Sequence, residues 1–230
     1  MRVLGVIPAR GGSKGVPRKN IAVVAGKPLL AYSILAAQHS RGLAEVIVST
    51  DDAEIAEVAR AWGAAVPFLR PAALATDSAS SVEVALHALA FMEKAQAQPY
   101  EALLLLQPTT PLRRAEDIDA ALHLLASSGA EAVISVMEAG AAHPLYIYTL
   151  NEARLQPFLP DTGRVTRRQD FPPLYLRNGA IYAVRRSVLV EQRTFFPQDI
   201  CPYLMPPERS VNIDRPLDLE LAAFFLERNL

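Results

Sequence analysis

The sequence predicts an α/β fold, and three observations carry that prediction. Short apolar runs, each suited to one buried strand, alternate with stretches of helical period. One run, Glu101–Leu106, is a near-continuous leucine series of the kind a central parallel strand needs. Polar segments follow the runs, where a parallel sheet places its ligand-binding loops.

Val3–Pro8 reads as the first buried strand, followed by a loop rich in glycine and basic residues from Ala9 to Asn20. Pro28 opens a helix running to about Ser40, at a first-turn position where its missing N–H costs nothing. Glu45–Ser49 is the second strand. Asp51 and Asp52 stand where an N-cap belongs, and their helix runs to Trp62 with Gly63 as its stop. Val66–Leu69 reads as a third strand, and residues 79–97 have helical period. Glu101–Leu106 is the fourth strand. The turn Gln107–Arg114 leads into a helix over about 115–128, and Glu131–Met137 is the fifth strand. Asn178–Val184 is a further strand, and residues 216–228 form the last helix. This order implies a Rossmann-like, mostly parallel sheet with helices on both faces.

From Glu138 to about Phe171 the pattern breaks. Pro144, Pro157 and Pro160 interrupt it, and the stretch is too long for a plain connection. Tyr146, Ile147, Tyr148, Leu150, Leu155 and Phe158 have no helical period with which to hide. The expectation is a small dimerisation insertion, covered by a second subunit.

Bulk properties exclude several functions. A chain of 230 residues that is 51% hydrophobic can bury a substantial core. A formal net charge of −1 lacks the basic excess of a general nucleic-acid binder. The single cysteine, Cys201, cannot form an internal disulfide and fits a reducing compartment. No apolar run approaches the roughly 18 residues of a membrane span. Val3 to Ala9 is too short for a signal-peptide core and ends in Arg10 without a cleavage pattern. A cytoplasmic protein without nucleic-acid or membrane partners is expected. His39, His87, His123 and His143 are dispersed, so nothing resembles a zinc site.

The most informative stretch is Ile7-Pro-Ala-Arg-Gly-Gly-Ser-Lys-Gly-Val-Pro-Arg-Lys-Asn20. Arg10, Lys14, Arg18 and Lys19 are cations, with Gly11, Gly12 and Gly15 between them. Glycines let backbone N–H groups converge on an anion, and the cations neutralise a polyphosphate. The competing reading is a solvated basic turn. Neither G-x-x-x-x-G-K-[ST] nor G-x-G-x-x-G is present, which argues against a P-loop ATPase or a dinucleotide dehydrogenase.

This stretch resembles the signature of the CMP-sialic acid synthetases, the acylneuraminate cytidylyltransferases. The likeness extends through Val48-Ser-Thr-Asp-Asp52, Pro67-Phe-Leu-Arg-Pro71 and Leu74-Ala-Thr-Asp77. It continues in Gln107-Pro-Thr-Thr-Pro-Leu-Arg113, Asn178-Gly-Ala-Ile-Tyr182 and Val211-Asn-Ile-Asp214. Each is weak alone, but their order and spacing together are specific. The resemblance implies transfer of CMP from CTP to an acidic nine-carbon sugar, with pyrophosphate released, in a homodimer. The break in pattern after Glu138 then divides the chain into an expected nucleotidyltransferase domain, 1–138 and 172–230, and the insertion at 139–171.

The resemblance also implies roles. Arg10, Ser13 and Lys14, with the amides of Gly11 and Gly12, match the triphosphate cradle, with Arg10 and Lys14 counted as catalytic. Lys19 and Asn20 match nucleotide contacts. Arg70 matches the part that meets cytosine, and Ser80 or Ser81 shares that work. Gln107 is a candidate contact for sugar or base. Arg113 reads as an anchor of the turn onto the next helix. Arg168 aligns best with the arginine that binds the sugar carboxylate. Tyr182, Phe195 and Phe196 are either a wall near the sugar's amide substituent or ordinary core.

Two departures stand out. Relatives carry a lysine two residues after a His-Pro pair, whereas His143-Pro144 is followed here by Leu145 and Tyr146. This leaves neuraminic, legionaminic and pseudaminic acids all open. Of the two aspartates with which the family holds Mg²⁺, Asp214 is present and Asn212 replaces the other. Asp214 is thus the expected catalytic metal ligand, with Asn212 a weaker, uncharged one. Two other readings stay open at this point: a nucleotidyltransferase for Kdo or for another nucleotide, and a non-catalytic nucleotide-binding module.

Overall fold

The computed structural model describes residues 1–13, 15–159 and 172–228. It is an α/β fold around one six-stranded sheet. The strands are β1 (Val3–Pro8), β4 (Glu45–Ser49), β5 (Ala102–Leu105), β6 (Ala132–Glu138), β9 (Tyr175–Arg185) and β10 (Ile200–Leu204), in the order β10-β6-β9-β5-β1-β4. β1 pairs parallel with β4 and β5, and β10 with β6. Only β9 runs the other way, antiparallel to both β5 and β6. The sheet is mostly parallel, as the alternation of runs implies. The reversed strand lies inside it, a feature that periodicity does not report.

Alternation along β1 divides the core in two. Val3 and Ile7 join the cluster formed with α1 (Leu29–His39), α2 (Ala53–Ala61) and α4 (Ala115–Ser127). Leu4 and Val6 join the opposite cluster, against α3 (Ser81–Gln96). Both faces are therefore covered, which explains why the strands read as unbroken apolar runs. A third, smaller cluster packs Ile213 and Ala222 of α5 (Pro216–Glu227) against Val16, Val24 and Leu29.

Local chemistry sets the element ends. Asp52 caps α2 by accepting from the N–H groups of Glu54 (2.9 Å) and Ile55 (3.1 Å). Gly63 follows α2 at φ +80°, a conformation that costs glycine nothing. Ser80 and Glu83 form a reciprocal capping box at the start of α3. Pro28 lies just before α1 rather than inside its first turn. It pairs with Val23 in the hairpin of β2 (Val23–Val24) and β3 (Lys27–Pro28).

Three expectations need correction. Val66–Leu69 is not a strand. Only Ala65 and Leu69 make bridges, to Ile47 and Thr50, and Pro67 between them has no N–H to give a ladder. β10 was not foreseen, because Pro202 interrupts its pattern; it lies at the sheet edge, where a missing N–H is tolerated. The segment from Glu138 is also more regular than expected. It holds a hairpin of β7 (Tyr148–Asn151) and β8 (Arg154–Pro157), which among the described residues pairs only with itself. Residues 160–171 of that segment lie outside the described part.

A charged clasp holds α3 to the end of β9. Arg186 donates to Glu93 through Nε (2.7 Å) and Nη2 (3.0 Å), and Tyr100 N–H adds a third bond (3.1 Å). The Arg186 bond outweighs the effect of burial and holds the Glu93 carboxyl below its usual value. A carboxyl lowered in the folded state adds stability above its unfolded pKa and loses it as pH falls through the folded one. Glu93→Gln should therefore cost about 1 kcal/mol at pH 7. The cost should begin to shrink as pH falls to about 4 and disappear as it passes through the lowered folded value. Urea unfolding of both proteins at pH 7 and pH 3 checks this, and an equal cost at both would exclude it.

Candidate active site

A cavity of about 560 Å³ opens at the carboxyl edge of the parallel strands. Four separate stretches line it. The loop after β1 gives Arg10, Ser13, Gly15, Lys19 and Asn20. The 70–81 stretch gives Arg70, Thr76, Asp77 and Ser81. The end of β5 gives Gln107 and Thr109, and the approach to α5 gives Asn212 and Asp214. These segments are far apart in sequence, and the parallel sheet delivers them to one place.

The first loop is braced from several sides. Asn20, nearly buried, donates to the carbonyl of Arg10 (2.9 Å) and so fixes the loop's two ends. Gly11 N–H donates to Asp51 (3.2 Å), and a Cβ at Gly11 would lie 2.7 Å from the Asp52 carboxylate. Arg10 pairs with Asp77 (2.9 Å) and donates to the carbonyl of Thr76 (3.2 Å), which ties the loop to the far wall. Lys19 donates to the carbonyl of Ile213 (2.7 Å) and to Asp214 (3.2 Å).

Arg70 is 5% exposed, yet it lines the cavity. Its Nη2 donates to Asp51 at 3.3 Å, and its Nε–H has no partner among the described residues. Burial pulls the guanidinium below its usual value and the field of Arg10 adds to this, while Asp51 opposes. His87 lies close enough for its imidazole to be lowered by burial and then by Arg70. A largely buried guanidinium on a cavity wall suits a flat acceptor-bearing ligand edge.

Asn212 and Asp214 flank the fully buried Ile213 and lie side by side, with Asn212 Nδ2 donating to Asp214 Oδ2 at 2.8 Å. Asp214 does not cap α5. That role belongs to Asp218, whose Oδ2 accepts from the N–H groups of Asp214 (2.9 Å) and Arg215 (2.7 Å). Asp218 is thus engaged at the start of α5 and is not among the residues that line the cavity. Gln107 leaves β5 beside Gly179, where a Cβ would stand 2.9 Å from Gln107 Oε1 and 3.8 Å from Asn212 Oδ1.

Several expected residues lie elsewhere. Ser80 is taken up in the cap of α3, and its neighbour Ser81 faces the cavity. Gly11 and Gly12 shape the loop but are not among the lining residues. Arg18 turns away to pair with Asp52 (2.7 Å) and Glu54. Tyr182, Phe195 and Phe196 form an aromatic group off the cavity, with Phe195 buried in the core. Lys14 and Arg168 lie outside the described residues. Sequence reasoning gave no site role to Asp77 or Thr109, which line the cavity, or to Asp51, which holds Arg70 and the Gly11 N–H. The signal for Asp77 was present in Leu74-Ala-Thr-Asp77, but a carboxylate in an anion site has no evident purpose until Arg10 is seen against it.

Comparison with known proteins follows the same lines. A family model described as "Cytidylyltransferase" matches residues 4–223. The chain is 35% identical over 232 residues to the CMP-N,N'-diacetyllegionaminic acid synthase of Legionella pneumophila, covering 100% of this chain and 98% of that protein. It is 33% identical over 230 residues to a pseudaminic acid cytidylyltransferase of Campylobacter jejuni, covering 100% and 98%. It is 35% identical to the N-acylneuraminate cytidylyltransferase of Escherichia coli over 96% of this chain and 51% of that longer protein. A solved CMP:2-keto-3-deoxy-manno-octonic acid synthetase complexed with CTP has a TM-score of 0.71 at 21% identity, over the whole of both chains. At that identity the likeness speaks for the fold alone. With a family model spanning nearly its whole length and full-length relatives at a third identity, the chain belongs to the cytidylyltransferase family.

Proposed function

We propose that this protein transfers CMP from CTP to the anomeric hydroxyl of a nonulosonic acid and releases pyrophosphate. The observation that carries this reading is the single cavity joining a glycine-rich cationic loop, a buried arginine, Gln107 and the Asn212–Asp214 pair. Its relatives are named for coupling legionaminic, pseudaminic and neuraminic acids, which share an acidic nine-carbon skeleton.

In this reading Arg10 and Lys19, with Ser13 and Lys14, receive the triphosphate. Arg70, with Ser81, faces the cytosine, where a guanidinium can donate to the base's carbonyl and ring-nitrogen acceptors. The anomeric oxygen attacks the α-phosphorus. A new P–O bond forms as the bond to the β-phosphate's bridging oxygen breaks, pyrophosphate leaves and the hydroxyl proton passes to water. Positioning and charge neutralisation supply most of the catalysis.

Mg²⁺ is the cofactor in this reading, and the donor set fits it. One carboxylate and one amide oxygen on an open rim leave room for the phosphates and waters that Mg²⁺ prefers. When bound, the ion offsets charge on the phosphates. Asp214 and Asn212 would hold it, Asn212 through Oδ1 after its amide turns. The reaction is assigned to the cytoplasm, where Cys201 stays reduced.

The same reading includes a two-fold homodimer. All residues of the β7–β8 hairpin are exposed, and a lone two-stranded hairpin is marginal in water. Leu150, Leu155 and Phe158 on it, and Leu174 and Tyr175 at the start of β9, are large apolar side chains left open. A second copy would cover them.

Three outcomes follow. Purified protein with Mg²⁺ and a nonulosonic acid should release pyrophosphate from CTP much faster than from UTP, ATP or GTP. Crossing these nucleotides with neuraminic, legionaminic and pseudaminic acids and Kdo tests this, and equal rates with UTP would defeat the cytidine assignment. Asp214→Asn should lose most turnover at ordinary Mg²⁺, at least tenfold or about 1.4 kcal/mol of barrier. Asn212→Asp should lower the Mg²⁺ needed for half-maximal rate. An unchanged Mg²⁺ titration in Asp214→Asn would remove it from the metal site. Sedimentation at micromolar concentration should show a dimer, and a fully active monomer would rule the assembly out.

A further inference from the structure

Arg113 is 3% exposed, and among the described residues no carboxylate lies within ion-pair distance of it. Burial pulls its guanidinium below the usual arginine value, and only the field of Asp117 opposes this. Asp117 is itself engaged by Arg209, Tyr203 and the N–H of Arg114. A charge buried in this way is costly unless its donors are placed for a purpose.

Those donors gather backbone. Nη1 donates to the carbonyls of Ala180 (2.7 Å) and Gln107 (3.4 Å) and to the Thr110 hydroxyl (3.2 Å), while Nη2 donates to the Ser33 hydroxyl. The Thr110 hydroxyl is itself within reach of the carbonyls of Gln107 (3.1 Å) and Gly179 (3.4 Å). Carbonyls from the turn after β5 and the middle of β9 thus close around one cation. The turn is anchored onto β9 and α1, not onto the helix that follows it.

This bears on Gln107. Its side chain passes directly over Gly179, at φ +82°, where any Cβ would collide with Oε1. The left-handed glycine must stay in place for that path to remain open. Arg113 holds the carbonyls on both sides of the crossing, Gln107 below and Ala180 next to Gly179.

We propose that Arg113 is a positioning residue: by clamping Gln107 and Ala180 it aims the Gln107 amide at the acceptor sugar, and so sets acceptor recognition without touching substrate. The acceptor side rests on the function proposed above. Lysine keeps the charge but lacks the planar fork that spans several acceptors.

The test is Arg113→Lys beside Gln107→Ala and the double variant. KM for the acceptor should rise about tenfold in Arg113→Lys, while the Kd for CTP, measured by calorimetry without sugar, stays within about twofold. The double variant should be no worse than Gln107→Ala, since both changes remove one placement. An unchanged acceptor KM, additive losses, or an equal rise in the CTP Kd would overturn the proposal. The Gln107 side-chain amide resonances, identified by their loss in Gln107→Glu, give a readout free of activity. They should shift in Arg113→Lys while those of Asn20 stay, and unmoved Gln107 resonances would also overturn it. If wild type turns over none of the acids, the functional reading fails by itself and the amide spectrum still decides. Should Arg113→Lys not fold, Thr110→Val removes one acceptor of the clamp. Smaller shifts of the same kind would support the proposal, and none would refute it.

Discussion

The cavity depends on two stretches of backbone from opposite ends of the chain lying in direct contact. A Cβ on Gly15 would stand 2.0 Å from the carbonyl oxygen of Asp214, so no other residue fits without moving one of them. Lys19 reinforces the contact by donating to the carbonyl of Ile213, and the N–H of Ile213 donates to the carbonyl of Thr109 at 2.8 Å. Ile213 is fully buried, so in an extended segment its neighbours Asn212 and Asp214 both face outward. The first loop, the turn after β5 and the approach to α5 are thereby one unit. A change in any of them reaches the others.

Among the described residues, the cations that line the cavity are each held by a carboxylate. Arg10 is held by Asp77, Lys19 by Asp214 and Arg70 by Asp51. Clustered cations would otherwise repel one another and disperse the loop. An incoming anion therefore competes with carboxylates already in place, and the gain is the difference between two sets of contacts. Arg70 is the most buried of the three cations, so its charge is the least screened by water.

Much of this was legible in the sequence for identifiable reasons. Strands buried on both faces read as apolar runs, so β1, β4, β5 and β6 stand out directly. The glycines and cations of the first loop report a site because their chemistry is local. What was hidden depends on tertiary geometry. The direction of β9 leaves no mark on its composition, and Pro202 masks an edge strand whose partner satisfies it. Arg18 has the same chemistry as Arg10, and only the position of α2 turns it away. Asp214 and Asp218 could each have been cap or ligand, and the backbone amides choose Asp218 as the cap. Tyr182, Phe195 and Phe196 show the limit most plainly, since aromatic residues serve core and wall equally well until packing is known.

The reversed strand has a further consequence for how the molecule tolerates change. β6 ends at Glu138 and β9 begins at Tyr175, and these two residues face each other in the ladder. The chain between them departs and returns across one rung, at the same edge as the cavity. The sheet fixes both ends whatever lies between. Lengthening such an excursion is cheap, about 0.6 kcal/mol for each doubling of its length. The segment can therefore be exchanged, extended or redrawn while the register of every strand beneath it is preserved. A change of length within 139–174 is thus absorbed by the excursion itself, and the framework that carries it keeps its geometry.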